Sequence, residues 1–175
     1  MGKRVLVVVD MQKDFVDGSL GSKEAVSIVP AVVKKARDFD GTVLFTRDTH
    51  GEDYMETRRG NTFRWPTVSG NGRLGADPGV RGAEGQPQVQ CFDKPAFGSV
   101  ALAEALRAMY EAGELEAVEL VGLCTDICVV SNALLIKAFM PELPVSVDAS
   151  CCAGVTPEKH AAALETMRSC QIQIL

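Results

Sequence analysis

The chain has 175 residues, 46% of them hydrophobic, which is enough to bury one globular core and too short for a second independent one, so residues 1–175 read as a single domain. With 18 Lys+Arg against 23 Asp+Glu the net charge is -5, which excludes the basic field that nucleic acid or an anionic membrane surface requires. The expected partner is a small molecule or another copy of the chain.

The first element is signalled by MGKRVLVVVDMQKDF, in which Val5 to Val9 form an apolar run ended by Asp10. The run is shorter than the core of a secretion signal, and no stretch approaches the length of a membrane span. Without such a signal, the six cysteines are expected as thiols of a reducing compartment, and the expected location is cytoplasmic. Further β-rich runs follow at 42–47, 118–122 and 145–148, each nearly continuous rather than alternating, as in strands buried on both faces. Helix-like stretches lie between and after them, at 24–37, 99–112, 126–140 and 157–169. The last has the clearest local signals: Thr156 can cap it, Pro157 suits the first helical position, and Ala161, Leu164 and Met167 keep helical spacing. Residues 68–88 hold many glycines and prolines without periodicity and read as a long loop. Strands alternating with helices predict an α/β fold, three layers α/β/α around a mostly parallel central sheet.

In such sheets ligands bind at the carboxyl ends of the strands. Asp10 directly follows its apolar run, so its carboxylate is expected at a strand end, partly desolvated, with a pKa raised toward that of a usable base. A turn-capping Asp fits the same position. Cys128, in GLCTDICVVSNALL, falls near a predicted helix N-terminus, where free amides and the dipole are expected to lower a thiol pKa and to hold an oxyanion. The competing reading is a buried core cysteine, and Cys91, Cys151, Cys152 and Cys170 are assigned to it. Lys94 lies in CFDKPAFGS, where Pro95 and aromatic neighbours can hold an ammonium still; a solvated surface lysine is the alternative. Asp48 and His50, in RDTH, offer an oxygen and a nitrogen to one divalent metal, though an exposed loop explains them equally. Cys124 and Cys128 have the spacing of two ligands on one helical face, but no second pair completes a structural zinc set.

Four blocks in order, VVVDMQKDFVDGSL, LFTRDTH, DKPAFGS and LVGLCTDICVVSNALLIKAF followed by VSVDASCCAG, resemble the isochorismatase-like cysteine hydrolases, and within them the nicotinamidase-like amidases. The resemblance covers nearly the whole chain. It implies the isochorismatase-like hydrolase fold, a catalytic Asp10, Lys94 and nucleophile Cys128, and a cis peptide between Leu123 and Cys124, so that the amides of Cys124 and Cys128 form the oxyanion hole. It also implies cleavage of a small amide through a thioester, homo-oligomers, and Phe15 as the residue to stack on a planar substrate. Nicotinamidases hold a divalent metal (zinc, manganese or iron) through an Asp, a nearby His and a further His. Asp48 and His50 match the first two, whereas WPTVSGNGRLG supplies no further histidine and the only other one, His160, is expected on the surface of the last helix. Glu52, Asp53 or Glu56 could substitute. The expected cofactor is therefore none, or a weakly bound divalent metal. An N-carbamoyl amide hydrolase, an isochorismatase-type hydrolase and a non-catalytic binding protein on the same fold are the competing readings.

Overall fold

A computed structural model describes residues 2–18, 20–50, 54–56, 58 and 90–175. The predicted loop 68–88 and the candidate metal donors Glu52 and Asp53 lie outside the described residues.

Six parallel strands form one sheet: β1 (Lys3–Val9), β2 (Thr42–Asp48), β3 (Gln90–Lys94), β4 (Leu115–Leu123), β5 (Val145–Ala153) and β6 (Gln173–Ile174), in the order β3-β2-β1-β4-β5-β6. The short α1 (Lys13–Val16) follows β1, and α2 (Lys23–Asp38) leads into β2. Helix α3 (Val100–Glu111) precedes β4, α4 (Val130–Phe139) precedes β5, and α5 (Pro157–Ser169) precedes β6.

The continuous apolar run of β1 is explained by the two-residue period of a strand, because both faces are covered. Val5, Val7 and Val9 join a buried cluster with Leu102 and Leu106 of α3, Ala133 and Ile136 of α4, and Leu164 and Met167 of α5. Leu6 and Val8 point the other way, into a cluster with Phe15 and Val16 of α1 and Ala25, Ile28, Val29 and Val32 of α2. This is the three-layer arrangement expected from the sequence. Helix ends follow the expected chemistry as well: Ser22, Ser99 and Thr156 each accept a backbone N–H through the side-chain oxygen.

Strand order reverses between β1 and β4, since the chain moves outward through β2 and β3 and then returns to the other side of β1. The crevice beyond the strand ends at that reversal is where a doubly wound sheet accepts ligands. Gly122 lets the two central strands meet there. It pairs with Val9, has φ +117, and a Cβ at this position would lie 2.2 Å from the Val9 carbonyl oxygen.

Elements β3 and β6 are not among the strands expected from sequence. β3 reads QCFDK, with only Phe92 and Lys94 buried, and β6 has two residues, so neither presents the apolar run of a central strand. The run expected at 145–148 extends to Ala153 because its register slips: Leu120 pairs with Val147 but Gly122 pairs with Cys152. In the bulged segment Asp148 Oδ1 accepts from Ser150 N–H at 2.9 Å, and Lys35 of α2 bonds both Asp148 and the buried Glu119 of β4. Burial raises the Asp148 pKa, but the Lys35 and Ser150 bonds outweigh it and hold the carboxyl below its ordinary range. The six cysteines are free thiols. Cys151 and Cys152 are buried as expected, whereas Cys91 and Cys170 are exposed, correcting their assignment to the core. Cys91 faces out from the short β3, and Cys170 follows the end of α5.

Candidate active site

The carboxyl ends of β1, β2, β3 and β4 bring Asp10, Asp48, Lys94 and Cys128 together. Asp10 follows β1 in the left-handed region, at φ 46, a conformation that Asp tolerates better than most side chains. Its N–H reaches the Thr46 backbone carbonyl at 3.2 Å, and Thr46 Oγ1 donates to Asp10 Oδ1 at 2.7 Å. Lys94, the last residue of β3 and 1% exposed, extends its ammonium across the end of β2. Nζ lies 2.6 Å from Asp10 Oδ2, 3.4 Å from Asp48 Oδ1, 3.2 Å from the Ala96 carbonyl oxygen and 3.4 Å from Cys128 Sγ. The contact with Asp10 is the shortest of the four and pairs a buried ammonium with a buried carboxylate.

Cys128, 6% exposed, lies on a single π-helical turn, Thr125–Val129, that joins β4 to α4. Ile127 and Val129 both donate their N–H to the Cys124 carbonyl, at 3.1 and 3.0 Å. The peptide bond between Leu123 and Cys124 is cis. The helix expected over 126–140 thus begins with a wider turn that carries the thiol.

The electrostatics separate the groups. Burial raises the Asp10 pKa, with Lys94, Thr46 and Cys128 opposing it. Burial would lower that of Lys94, but Asp10, Cys128 and Asp48 overcome it and the ammonium is held above its ordinary value. Burial pushes the Cys128 thiol well up and Asp10 adds to that, against Lys94. The expected lowering by a helix N-terminus does not prevail here; desolvation and a neighbouring carboxylate outweigh it. These shifts favour the protonated thiol of Cys128 beside the close contact of Lys94 with Asp10. Cys124 is half-buried, and its thiol is pushed up to about 12, first by burial and then by Asp126 and Asp10.

Phe15 is 8% exposed and belongs to the cluster on the α2 side, against which Cys124 packs. Three residues with no sequence signal support the site. Gln12 Nε2 donates to the Asp48 carbonyl at 3.1 Å while its Oε1 accepts from the Asp48 N–H at 2.7 Å, tying the ends of β1 and β2. Asn132 joins the segment after Lys94 to the turn of Cys128. His160, expected on the surface, is half-buried and bonds Thr125 Oγ1 through Nδ1 at 2.8 Å. The first turn of α5 is drawn close there: a Cβ on Gly154 would lie 2.8 Å from the His160 nitrogen.

The model of the isochorismatase domain family matches residues 4–175. The chain belongs to the isochorismatase family. No curated protein matches it at a significant level. Among solved structures, this isochorismatase-family protein is similar to a pyrazinamidase from Pyrococcus horikoshii in complex with zinc, with 28% identity over 99% of this chain and 98% of that one and a TM-score of 0.77. It is also similar to a pyrazinamidase/nicotinamidase from Streptococcus mutans, with 26% identity over 98% and 99% of the two chains and a TM-score of 0.81. An N-carbamoylsarcosine amidase from Thermoplasma acidophilum shares the fold, with 24% identity over 98% and 95% and a TM-score of 0.75. The family match supports a hydrolase.

Whether the metal donors fit an ion is decided by their contacts. His50 is buried, stacked on Tyr54 at 3.9 Å, and its Nε2 bonds Asp48 Oδ2 at 2.9 Å, while Lys94 approaches the other oxygen of Asp48. Glu56 is exposed on the turn Tyr54–Glu56. Among the described residues, no three His, Cys, Asp or Glu side chains are grouped to hold a metal. The described donors alone do not fit one.

Proposed function

We propose that this isochorismatase-family protein is a cysteine-dependent amidohydrolase in which Cys128 is the nucleophile, Asp10 the general base and acid, and Lys94 the charge that holds both. The observation that carries the reading is the contact of one buried ammonium with Asp10 Oδ2 at 2.6 Å and Cys128 Sγ at 3.4 Å. A core cysteine needs no charge beside it, and a structural ion pair needs no thiol.

The chemistry follows from the protonation states. As Cys128 Sγ attacks the amide carbon, its proton passes to Asp10, whose burial makes it a stronger base than an ordinary carboxylate. Lys94 compensates the negative charge wherever it sits, on carboxylate or on sulfur. The carbonyl electron pair moves onto oxygen, and we assign the N–H groups of Cys124 and Cys128 as donors to that oxyanion. Asp10 then returns the proton to the departing nitrogen as the C–N bond breaks, which leaves a thioester. Water gives its proton to Asp10, attacks the thioester, and the acid leaves as the thiol is restored. Thr46, donating to Asp10 Oδ1, keeps the other oxygen turned to Lys94 and the thiol. Phe15 is assigned to the face of a planar substrate. The substrate proposed first is nicotinamide or a similar aromatic amide, and the second is an N-carbamoyl compound. We also read residues 1–175 as one domain that assembles with copies of itself.

Ammonia release across a panel of aromatic amides and carbamoyl compounds, from the wild type and from Cys128→Ala, tests the reading. Turnover should appear for at least one class and vanish in the variant with its circular dichroism unchanged. A variant as active as the wild type would overturn the mechanism.

A further inference from the structure

Asn132 is 1% exposed on the first turn of α4, beside the buried Val129, Ala133 and Ile136. An amide on an apolar helix face is less stable than a hydrocarbon of its size unless its bonds are made. Here Oδ1 accepts from the Ser99 N–H at 2.9 Å, and Nδ2 donates to the Cys128 carbonyl at 2.8 Å and to the Phe97 carbonyl at 3.2 Å. All three bonds end on two segments. One runs from Lys94 to Ser99 and includes the Ala96 carbonyl that accepts from the Lys94 ammonium. The other is the turn that carries the nucleophile. The same junction is tight at Gly98, where a Cβ would lie 3.3 Å from Leu135 Cδ2 and 3.4 Å from the Ser131 carbonyl oxygen.

We propose that Asn132 is a positioning residue that sets the separation of the Lys94 ammonium from the Cys128 sulfur. The inference rests on the reading of Cys128 as nucleophile. Asn132 and Lys94 both join these two segments, Lys94 through its ammonium and Asn132 through its amide. Asn132→Ala deletes three directional bonds between the loop 95–99 and the turn of Cys128. Attraction between ammonium and thiolate falls with distance, and a displacement of about 1 Å at a reacting group can lower a rate about a hundredfold. Asn132 bonds neither the ammonium nor the sulfur; it acts through the Cys128 carbonyl and the backbone of Phe97 and Ser99, which follow Lys94 in the chain.

Three variants separate positioning from simple stability. Asn132→Ala removes all three bonds. Asn132→Asp keeps the volume and the acceptor for Ser99 but turns lone pairs toward two carbonyl oxygens. Asn132→Thr retains a hydroxyl that can donate to the Cys128 carbonyl four residues back, and it carries the test if the other two do not fold. The readout is the pH profile of iodoacetamide alkylation mapped by mass to Cys128, with the exposed Cys170 as reference and thermal midpoints alongside. Alkylation of Cys128 at neutral pH should slow about tenfold in Asn132→Ala, a thiolate population lowered by about one pH unit, and more in Asn132→Asp. Asn132→Thr should lie between the wild type and Asn132→Ala, and Cys170 should not change. For the best amide, kcat should fall while KM stays. A Cys128 profile unmoved in any folded variant would overturn the proposal. If no amide is hydrolysed even by the wild type, the assigned reaction falls, and the alkylation profile, which needs no substrate, still decides the role of Asn132.

Discussion

Replacing Lys94 by methionine keeps most of the side-chain volume and removes the charge, which isolates what the ammonium does. At 2.6 Å from Asp10 Oδ2 and an effective dielectric constant near 20, its gross attraction is about 6 kcal/mol, most of it offset by the desolvation of two buried groups. Removing one partner leaves the other buried and uncompensated, which costs about 3–5 kcal/mol. Protonation of Asp10 caps that loss. Each pH unit above the ordinary carboxylate value of 3.8 is worth about 1.4 kcal/mol, so the charge penalty cannot exceed about 4 kcal/mol at pH 7, nor about 2 kcal/mol at pH 5. The sign follows from linkage. In the variant Asp10 binds its proton more tightly folded than unfolded, so its contribution is favourable below the unfolded value and is lost as pH rises toward the folded one. Urea unfolding of wild type and Lys94→Met should therefore show a stability gap that is widest near neutrality and narrows by about 1–3 kcal/mol on going to pH 5. Turnover at neutral pH should fall at least about a hundredfold, because a neutral Asp10 cannot accept the thiol proton. A gap that is independent of pH would refute the pairing of Lys94 with Asp10.

Other perturbations probe the frame. Cys152→Ala, at a site 4% exposed, should lower stability by about 1 kcal/mol in chemical denaturation, whereas Cys170→Ser on the surface should stay within about 0.5 kcal/mol; neither should change kcat. Gly122→Ala must move the Val9 carbonyl, so it should lower stability by more than about 1 kcal/mol and reduce turnover as well, measured together in one denaturation and assay series. Chelator treatment should leave activity on the best amide largely intact, since the two described donors Asp48 and His50 bond each other; complete loss restored by zinc, manganese or iron would show a third donor at Glu52, Asp53 or another residue.

What could be read from sequence divides by how the information is carried. β1, β2, β4 and β5 announce themselves because burial on both faces forces a continuous apolar run, and α5 because its cap and first-turn proline are local. β3 hides because an edge strand needs no such run, and the slip in β5 hides because it shows only in pairing with Gly122. Asp10 was legible as a polar residue ending an apolar run, and Lys94 and Cys128 through the blocks that contain them. The thiol's acidity was not legible from a helix terminus, because burial and Asp10 are set by strands far away in the chain.

The supporting residues share a different property. Gln12, Thr46 and Asn132 each bond a partner 33 to 36 residues away, and Asn132 also bonds the Cys128 carbonyl four residues back. Gln12 spans the ends of β1 and β2, Thr46 bonds the Asp10 carboxylate, and Asn132 spans the loop after Lys94 and the turn of Cys128. Each joins segments that the sheet order makes adjacent, so its value exists only once the strands have assembled with β1 beside both β2 and β4. The polar residues on this crevice therefore form two sets: Asp10, Lys94 and Cys128, whose side chains meet, and the bonds that join the segments carrying them. In the proposed reaction the first set supplies the nucleophile, the base and the charge beside them. In the proposed reading the second keeps a buried ammonium 3.4 Å from a sulfur whose thiolate burial disfavours.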